Sequence, residues 1–329
     1  MPTLPAPVLS ALHCPICKAP LHCGQTECVC AGAPCGARFP LVDGVPILIN
    51  EQNSLFKIAD FVQRRPTTAP PHEPSWRKAL KRLTPRLSKN YSARQNYAIF
   101  ADLLLSPSSP ALPAEARGDE RPWVLILGAG SQGEGLEQLL KEERILLVHS
   151  DVSFGPRTAL IADAHDIPFG DDLFAGVIIQ AVLEHVVDPQ RCVAEIWRVL
   201  QPAGLVYAET PFMQQVHEGR YDFTRYTHLG HRRLFRRFEE IRSGPVAGPG
   251  MALGWAWAYF LMSLAGSRRS RSALYLLARL TGWPLKHFDR WLLRRPGAYD
   301  AGAGYYFLGR KSQRTLPDGE LILSYRGAQ

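Results

Sequence analysis

Six of the seven cysteines fall between Cys14 and Cys35, close enough in sequence to build one metal site. Cys14 and Cys17 form a C-x-x-C pair, the spacing with which one turn delivers two thiolates to a tetrahedral zinc ion. For the second pair we choose Cys30 and Cys35, because Cys35 leads directly into the apolar run RFPLVDGVPIL. Cys28 stays open as a substitute, and a metal-free loop with spare thiols is the alternative. Four thiolates leave no open position, so the sequence predicts a structural zinc ion.

The run that follows the cysteines carries a recognisable pattern. C-P-x-C at Cys14–Cys17 is followed by Cys35, the aromatic-Pro pair Phe39-Pro40 and the run DGVP at Asp43–Pro46. This order resembles the zinc-ribbon family of small methyltransferase-activator proteins. The resemblance implies a small zinc-ribbon domain over residues 1–50.

A second candidate site is the run VLILGAGSQGEG at Val124–Gly135. Its apolar half is typical of a buried parallel strand, and its glycines allow the backbone to approach a ligand. The following EGLEQLLKEER predicts a helix, and ILLVHSDVS predicts a second strand that ends at Asp151, 21 residues after Gly130. An acid at that place can reach ribose hydroxyls. These features fit a nucleotide-type cofactor, a dinucleotide included.

The next stretch of sequence distinguishes between the possible classes of nucleotide-type cofactor. ADAHDIPF at 162–169, LEH at 183–185 and EIWRVLQPAG at 195–204 follow one another in order. This string resembles the small-molecule group of class I S-adenosylmethionine-dependent methyltransferases, and the resemblance covers about residues 120–311. It implies S-adenosylmethionine as cofactor, with an acid for the ribose, an acid for the adenine edge and a residue beside the methionine. The implied cofactor residues are Gly128, Ala129, Gly130, Gly133, Asp151, Asp163, Ala164 and Gln180.

Three positions depart from that family's pattern. Ile126 stands where an acid precedes the first glycine, Ala175 replaces the Asp after the Phe, and Ala203 replaces one of two paired glycines. A non-catalytic binding protein that keeps the fold is therefore an alternative from another functional class.

The acceptor side is predicted in TPFMQQVHEGRYDFTRYTHLGHRRLF, which follows the fifth strand of the predicted sheet. The family resemblance includes its D-F-x-R-Y-T piece. His217 and Asp222 are the candidates for acceptor contact or for a general base, which is needed only if the acceptor is a hydroxyl that loses a proton. The alternatives are a solvated loop histidine and an ion pair between Asp222 and Arg225.

Together these patterns predict an α/β fold: a Rossmann-like, seven-stranded class I methyltransferase sheet with an N-terminal zinc-ribbon domain and a helical insert before the last strand. The domains are 1–50 for the ribbon, 51–121 for a Pro-rich linker with a helix near 88–105, 122–311 for the methyltransferase domain and 312–329 for a tail. The first 14 residues lack the basic lead and apolar core of a secretory signal, so we expect a cytoplasmic protein.

The net charge of +8 is concentrated in two segments. Arg64–Arg94 holds nine Lys or Arg against one Glu, and Arg268–Arg295 holds eight against one Asp. Such a distribution favours local contact with an anionic surface over general nucleic-acid binding. We therefore expect a small-molecule, lipid-linked or glycan acceptor, and a ribosomal RNA methyltransferase with a zinc ribbon is the second enzyme hypothesis. The patterns indicate no oligomeric state.

The insert, residues 246–296, separates strands predicted at Phe238–Arg242 and Tyr305–Leu308. Its helical part, Met251–Ala265, has 15 residues, about 22 Å against the roughly 30 Å of a bilayer core. Four tryptophans lie in the insert beside several arginines, a combination suited to the headgroup interface of an anionic membrane. A peripheral place at the inner face of the membrane is one hypothesis; a packed cap, a dimer surface and a true span are the others.

Overall fold

The computed structural model describes residues 3–68, 84–106, 121–130 and 133–329. Its N-terminal part, which we call the ribbon, is a short helix followed by four strands. These are α1 (Ala6–Ser10), β1 (Leu21–Cys23), β2 (Glu27–Cys30), β3 (Arg38–Val42) and β4 (Val45–Leu48). Consecutive strands of the ribbon pair antiparallel. Two helices follow within the predicted linker, α2 (Ile58–Val62) and α3 (Ala93–Leu105).

The central part of the chain alternates strands with helices or short helical turns. Its elements are β5 (Trp123–Leu127), β6 (Leu146–Asp151), β7 (Leu160–Ala162), β8 (Phe174–Gln180), α4 (Pro189–Val199), β9 (Leu200–Pro211), α5 (His228–Leu234) and β10 (Phe238–Ala247). The remaining elements are α6 (Pro249–Ser263), α7 (Arg268–Gly282), α8 (Asp289–Leu292), α9 (Ala298–Ala301), β11 (Gly304–Lys311) and α10 (Asp318–Leu323).

Seven of the strands form the predicted methyltransferase sheet, in the order β7-β6-β5-β8-β9-β11-β10. The pairs among β5 to β9 are parallel, whereas β11 runs antiparallel to both β9 and β10. The strands are apolar and buried because helices cover both faces, as a parallel sheet requires. α4 buries Cys192, Val193 and Ile196 on one face, and α3 buries Tyr97 and Phe100 on the other.

The ribbon continues this sheet at its β7 edge. β4 pairs in parallel with β7, Ile47 opposite Ile161 and Leu48 opposite Ala162, which gives eleven strands in one sheet. All four residues of β4 are buried, so this strand behaves as an interior strand of the larger sheet. The sequence predicted two separate domains here and gave no sign of their shared sheet.

The prediction of a helix after the glycine loop is wrong. Residues 134–138 form turns, and Leu139–Lys141 is a single 3₁₀ turn. Gly135 has a φ of +93°, outside the range of a right-handed helix, and a Cβ there would lie 2.7 Å from Ala93 Cβ. The close approach of α3 therefore fixes an irregular backbone where the side-chain pattern alone favours a helix.

The insert folds as the helical hairpin α6–α7 with short helical turns after it. α6 begins with Pro249 at its first turn, two residues before the predicted start. The buried carboxylate of Asp289 caps it by accepting hydrogen bonds from the backbone N–H groups of Gly248, Gly250 and Met251 at 2.8–3.0 Å. In the described part of the chain, no helix combines the length and apolar character needed to cross a bilayer.

Candidate active site and metal cluster

The ribbon gathers the four predicted cysteine ligands. Their sulfur atoms lie within 4.8 Å of one another, with Cys14 Sγ 3.8 Å from Cys35 Sγ and Cys17 Sγ 3.4 Å from Cys30 Sγ. Tetrahedral zinc with bonds of about 2.3 Å needs sulfur separations of about 3.8 Å. The four thiols therefore fit a zinc ion with little movement.

Cys28, the substitute ligand, is not available to the cluster. It forms a disulfide with Cys23, the residue opposite it in the β1–β2 pair. That alternative is therefore wrong, and the pair at Cys30 and Cys35 completes the set of four.

A cavity of about 330 Å³ opens where β5, β6, β7 and β8 end. The carboxyl ends of parallel strands are the usual ligand site of such sheets. Of the predicted cofactor residues, Gly128, Gly130, Asp151, Asp163 and Ala164 line it. Leu55, Phe56 and Thr68, from the segment after the ribbon, form part of its wall, and nothing in the sequence indicated that contribution.

Asp151 is held at the cavity by the glycine loop. Its Oδ2 accepts a hydrogen bond from Gly130 N at 2.7 Å, and its Oδ1 accepts one from Ser153 Oγ at 2.7 Å. A Cβ on Gly130 would lie 2.9 Å from Asp151 Oδ2, so this approach requires glycine. Burial raises the pKa of Asp151 above its usual value, and the hydrogen bonds partly oppose that rise.

Asp163 directly follows β7, and both of its carboxylate oxygens have hydrogen-bond partners. Its Oδ1 accepts from His165 N at 3.0 Å and lies 2.5 Å from His165 Nδ1, while Oδ2 accepts from Ser54 Oγ at 2.5 Å. Burial raises the pKa of Asp163, but the bonds from His165 and Ser54 outweigh burial and leave it below the usual value. The carboxylate is therefore kept charged and in a fixed orientation.

Gln180 ends β8 and is bonded within the protein on both sides of its amide. Tyr97 donates to its Oε1 at 2.9 Å, and its Nε2 donates to Glu209 Oε2 at 2.8 Å. A Cβ on Gly133 would lie 1.7 Å from Gln180 Oε1, so the amide packs directly under the glycine loop. Gln180, Gly133 and Ala129 are not among the residues that line the cavity. Their contact with a cofactor stays a prediction.

On the acceptor side, His217 and Asp222 lie together in residues 212–227, which we call the acceptor loop. Asp222 Oδ2 accepts from His217 N at 2.9 Å and lies 3.4 Å from His217 Nδ1. Both carboxylate oxygens of Asp222 also accept from Arg225. Burial raises the pKa of Asp222, but the Arg225 bonds dominate and bring it to about 2. Asp222 is thus a positioning carboxylate and is poorly suited to take a proton near neutrality.

Glu184 is the residue that the sequence analysis missed. It is completely buried, and within the described residues neither of its carboxylate oxygens has a hydrogen-bond partner. Its Oε1 lies 3.7 Å from His185 Nε2 and 3.9 Å from His217 Nε2. Burial raises the pKa of Glu184 to about 8. The L-E-H motif at 183–185 was the available signal.

The sheet order and the cavity define the class I methyltransferase fold, which confirms the predicted class. Residues 134–208 match the methyltransferase domain family. A stretch of 72 residues is 37% identical to demethylmenaquinone methyltransferase of Clavibacter sepedonicus. That stretch is 22% of this chain and 24% of the relative, so the chain spans about a quarter of that enzyme.

A second relative is similar to the chain over a shorter stretch. Over 47 residues the chain is 38% identical to a UPF0434 protein of Methylobacillus flagellatus, which is 14% of this chain and 78% of that protein. The chain therefore carries a methyltransferase domain and, over those 47 residues, belongs to the UPF0434 family.

Solved structures with a related arrangement have low sequence identity. The Haloferax volcanii complex of the Trm112 methyltransferase activator with a methyltransferase matches at 20% identity, covering 68% of this chain and 91% of that chain, with a TM-score of 0.39. Haemonchus contortus phosphoethanolamine N-methyltransferase 2, in complex with S-adenosylmethionine, matches at 16% identity over 67% of this chain and 52% of that chain, with a TM-score of 0.40.

Proposed function

We propose that this chain transfers a methyl group from S-adenosylmethionine to a small-molecule, lipid-linked or glycan acceptor. The observation that carries the proposal is the cavity at the ends of β5–β8, where Asp151 and Asp163 lie on neighbouring strands within a methyltransferase domain. In this proposal Asp151 accepts hydrogen bonds from the ribose hydroxyls, and Asp163 with Ala164 lies beside the adenine ring. The apolar remainder of the wall, including Phe56 and Phe154, suits the flat faces of that ring.

The residues of the chain contribute mainly by positioning. S-adenosylmethionine supplies an electrophilic methyl group, and its transfer is a single in-line displacement, for which alignment and exclusion of water account for much of the acceleration. Phe56 stacks on Tyr221 with ring centroids 5.8 Å apart, which closes the cavity between the segment after the ribbon and the acceptor loop. In this proposal His217, whose Nδ1 lies 3.4 Å from Asp222 Oδ2, contacts the acceptor.

A lipid-linked acceptor is favoured by the outer surface of the insert. α6 exposes Leu253, Trp257 and Phe260, and Leu264 is exposed directly after its last residue; the spacings of four, three and four place all four on one side. α7 exposes Leu276, Leu277 and Leu280. We call these seven residues the apolar face. A face of this kind on a monomer marks a contact surface.

The insert also carries exposed arginines. Arg268, Arg269 and Arg271 are exposed in the first turn of α7, and Arg290, Arg294 and Arg295 are exposed after it. Aromatic side chains beside arginines match the headgroup region of an anionic bilayer. We infer that the insert rests on such a surface and that the acceptor reaches the acceptor loop from there; Tyr259 on α6 donates to Val216 O in that loop.

Calorimetric titration with S-adenosylmethionine tests the enzyme proposal. We expect saturable binding that Asp151→Asn weakens by about tenfold or more, the cost of roughly one charge-assisted hydrogen bond. Asp171→Asn is the matched control, since the Asp171 side chain is 73% exposed and lies outside the cavity. Absence of binding at high micromolar cofactor by folded protein would favour the non-catalytic alternative.

A further inference from the structure

Three hydrogen-bond acceptors converge beside the cofactor cavity. Glu184 Oε1 lies 3.7 Å from His185 Nε2 and 3.9 Å from His217 Nε2, and the two imidazole rings meet edge to face with centroids 4.8 Å apart. Glu184 is fully buried, and both of its oxygens lack partners among the described residues. A buried carboxyl group left without a partner is costly, above all in its ionised form, so the group calls for a partner.

The hydrogen bonds behind the two imidazoles fix which nitrogen faces Glu184. His185 Nδ1 lies 2.7 Å from Tyr221 O, and a carbonyl only accepts, so Nδ1 carries the hydrogen and Nε2 keeps its lone pair. His217 Nδ1 faces two acceptors, Asp222 Oδ2 and Gln215 O, each at 3.4 Å. In the tautomer that donates from Nδ1 to either acceptor, Nε2 keeps its lone pair. Three lone-pair donors then face one another, which is favourable when a cation lies between them.

We propose that Glu184, His185 and His217 form a binding site for a divalent transition-metal ion, separate from the cysteine cluster. Two imidazoles and one carboxylate are a common ligand set for such ions. Bonds of about 2.1 Å in tetrahedral geometry place ligand atoms about 3.4 Å apart. The two separations from Glu184 Oε1, 3.7 and 3.9 Å, need to shrink by a few tenths of an ångström, and all three ligand atoms lie within 4.8 Å of one another.

The surroundings have the features of a second coordination layer. Metal-bound histidines usually donate their other N–H to a carbonyl or a carboxylate, and here Tyr221 O and Asp222 occupy those places. Asp222 is in turn fixed by Arg225. The acceptor loop also closes over Glu184, whose carbonyl accepts from Phe223 N at 2.8 Å. The loop that the sequence assigns to the acceptor is thus the element that completes the site.

The site narrows the acceptor class. His185 and Tyr221 both line the cofactor cavity, so a further ligand of the ion would come from that cavity. Oxygen atoms are suitable ligands there. We therefore infer an acceptor that carries hydroxyl or carbonyl oxygens; this part rests on the proposed function, whereas the metal site does not.

Manganese binding to the full chain tests the site. Mn²⁺ prefers oxygen and imidazole ligands over thiolates, so the cysteine cluster does not compete for it. Titration followed by the electron paramagnetic resonance signal of free Mn²⁺ is expected to show one ion bound per chain. Glu184→Gln and His217→Gln should each weaken binding by about tenfold or more. Glu143→Gln is the matched control, since Glu143 is exposed and lies outside the cavity.

A second measurement on the unmodified protein does not depend on the variants folding. Pulsed electron paramagnetic resonance of bound Mn²⁺ should show coupling to imidazole nitrogen. Bound manganese without that coupling, or no binding by protein that still binds S-adenosylmethionine, overturns the metal site. Metal binding by protein that does not bind S-adenosylmethionine keeps the site and removes only the inference about the acceptor.

Discussion

Ser54 Oγ donates a 2.5 Å hydrogen bond to Asp163 Oδ2, so the segment that follows the ribbon fixes a carboxylate of the cofactor cavity. The same segment contributes Asn50 and Asn53, whose side-chain amides donate to Asp166 Oδ2 at 3.0 and 3.2 Å. β4 pairs with β7 immediately before these contacts. The ribbon and the cavity are consequently parts of one packed unit.

Ser54→Ala removes the bond to Asp163. We expect the free energy of unfolding to fall by about 2 kcal/mol, since a hydrogen bond to a charged, buried group is lost. Urea denaturation measures this change. Ser10→Ala is the control, because Ser10 Oγ bonds only to an exposed carbonyl, that of Pro7. Equal losses of unfolding free energy in Ser54→Ala and Ser10→Ala would contradict a stabilising role for the bond between Ser54 and Asp163.

Metal analysis of the purified chain should find about one zinc per molecule, and Cys14→Ser should lose it. Because β4 is positioned by the ribbon and pairs with β7, loss of zinc should also weaken S-adenosylmethionine binding. Cys28→Ser is the matched control and should keep the metal, since Cys28 is bonded to Cys23. Full metal content in Cys30→Ser and Cys35→Ser would show that the second ligand pair is wrong.

Asp289→Ala should loosen the insert. The change removes three hydrogen bonds from the first turn of α6, and a lost helix cap costs about 1–2 kcal/mol. Hydrogen exchange should speed up in α6 and α7 and stay unchanged in β8. Asp171→Ala, at an exposed position, should leave all three elements as they were.

Acid should destabilise the fold through two buried histidines. Burial lowers the pKa of His231 to about 3, helped by His228; burial lowers that of His228 to about 4, helped by Arg326, although Glu240 opposes this. Their unfolded pKa is about 6.5. The unfolded chain then binds more protons, so stability is complete above about pH 6.5 and falls progressively below it.

His231→Phe tests that relation. The ring stays in place against Phe235, and the titrating group is gone. Thermal unfolding followed from pH 7.5 to 4.5 should lose part of its pH dependence. If the dependence of thermal stability on pH is unchanged in this variant, groups other than His231 cause the acid sensitivity.

Flotation with anionic liposomes tests the apolar face. At low salt we expect the protein to rise with the vesicles, and at high salt a fraction should be released because the arginine contribution is screened. Trp257→Ser with Phe260→Ser should abolish flotation. Leu323→Ser, which changes an apolar residue that is 83% exposed on α10, should not. If the protein stays at the bottom of the gradient at low salt, the apolar face does not bind anionic membranes and is instead a surface for packing against a partner.

Local patterns were enough to predict the strands of the sheet and the glycine loop. Val124–Leu127 is apolar and bounded by glycine, and Asp151 ends the next apolar run, so both could be placed at the carboxyl edge. The resemblance to the methyltransferase fold placed the last two strands at Phe238–Arg242 and Tyr305–Leu308, and both predictions fall inside the longer strands β10 and β11.

Contacts between distant segments could not be predicted in this way. The pairing of β4 with β7 joins residues more than a hundred positions apart, and no single-segment pattern reports it. The failed helix at 134–144 depended on the approach of α3 to Gly135. Glu184 was overlooked because its importance comes from burial and from two histidines, one of them 33 positions away.

The pairing of β4 with β7 also bears on how this protein can assemble. β7 has three residues and would be the outermost strand of the methyltransferase sheet, where free backbone groups invite another chain. β4 occupies that edge from within the same polypeptide, so the two are present in a fixed one-to-one ratio. An intramolecular pairing of this kind does not depend on protein concentration. Dilution should therefore leave the ribbon docked, and a freely diffusing copy of the ribbon has no strand to bind there.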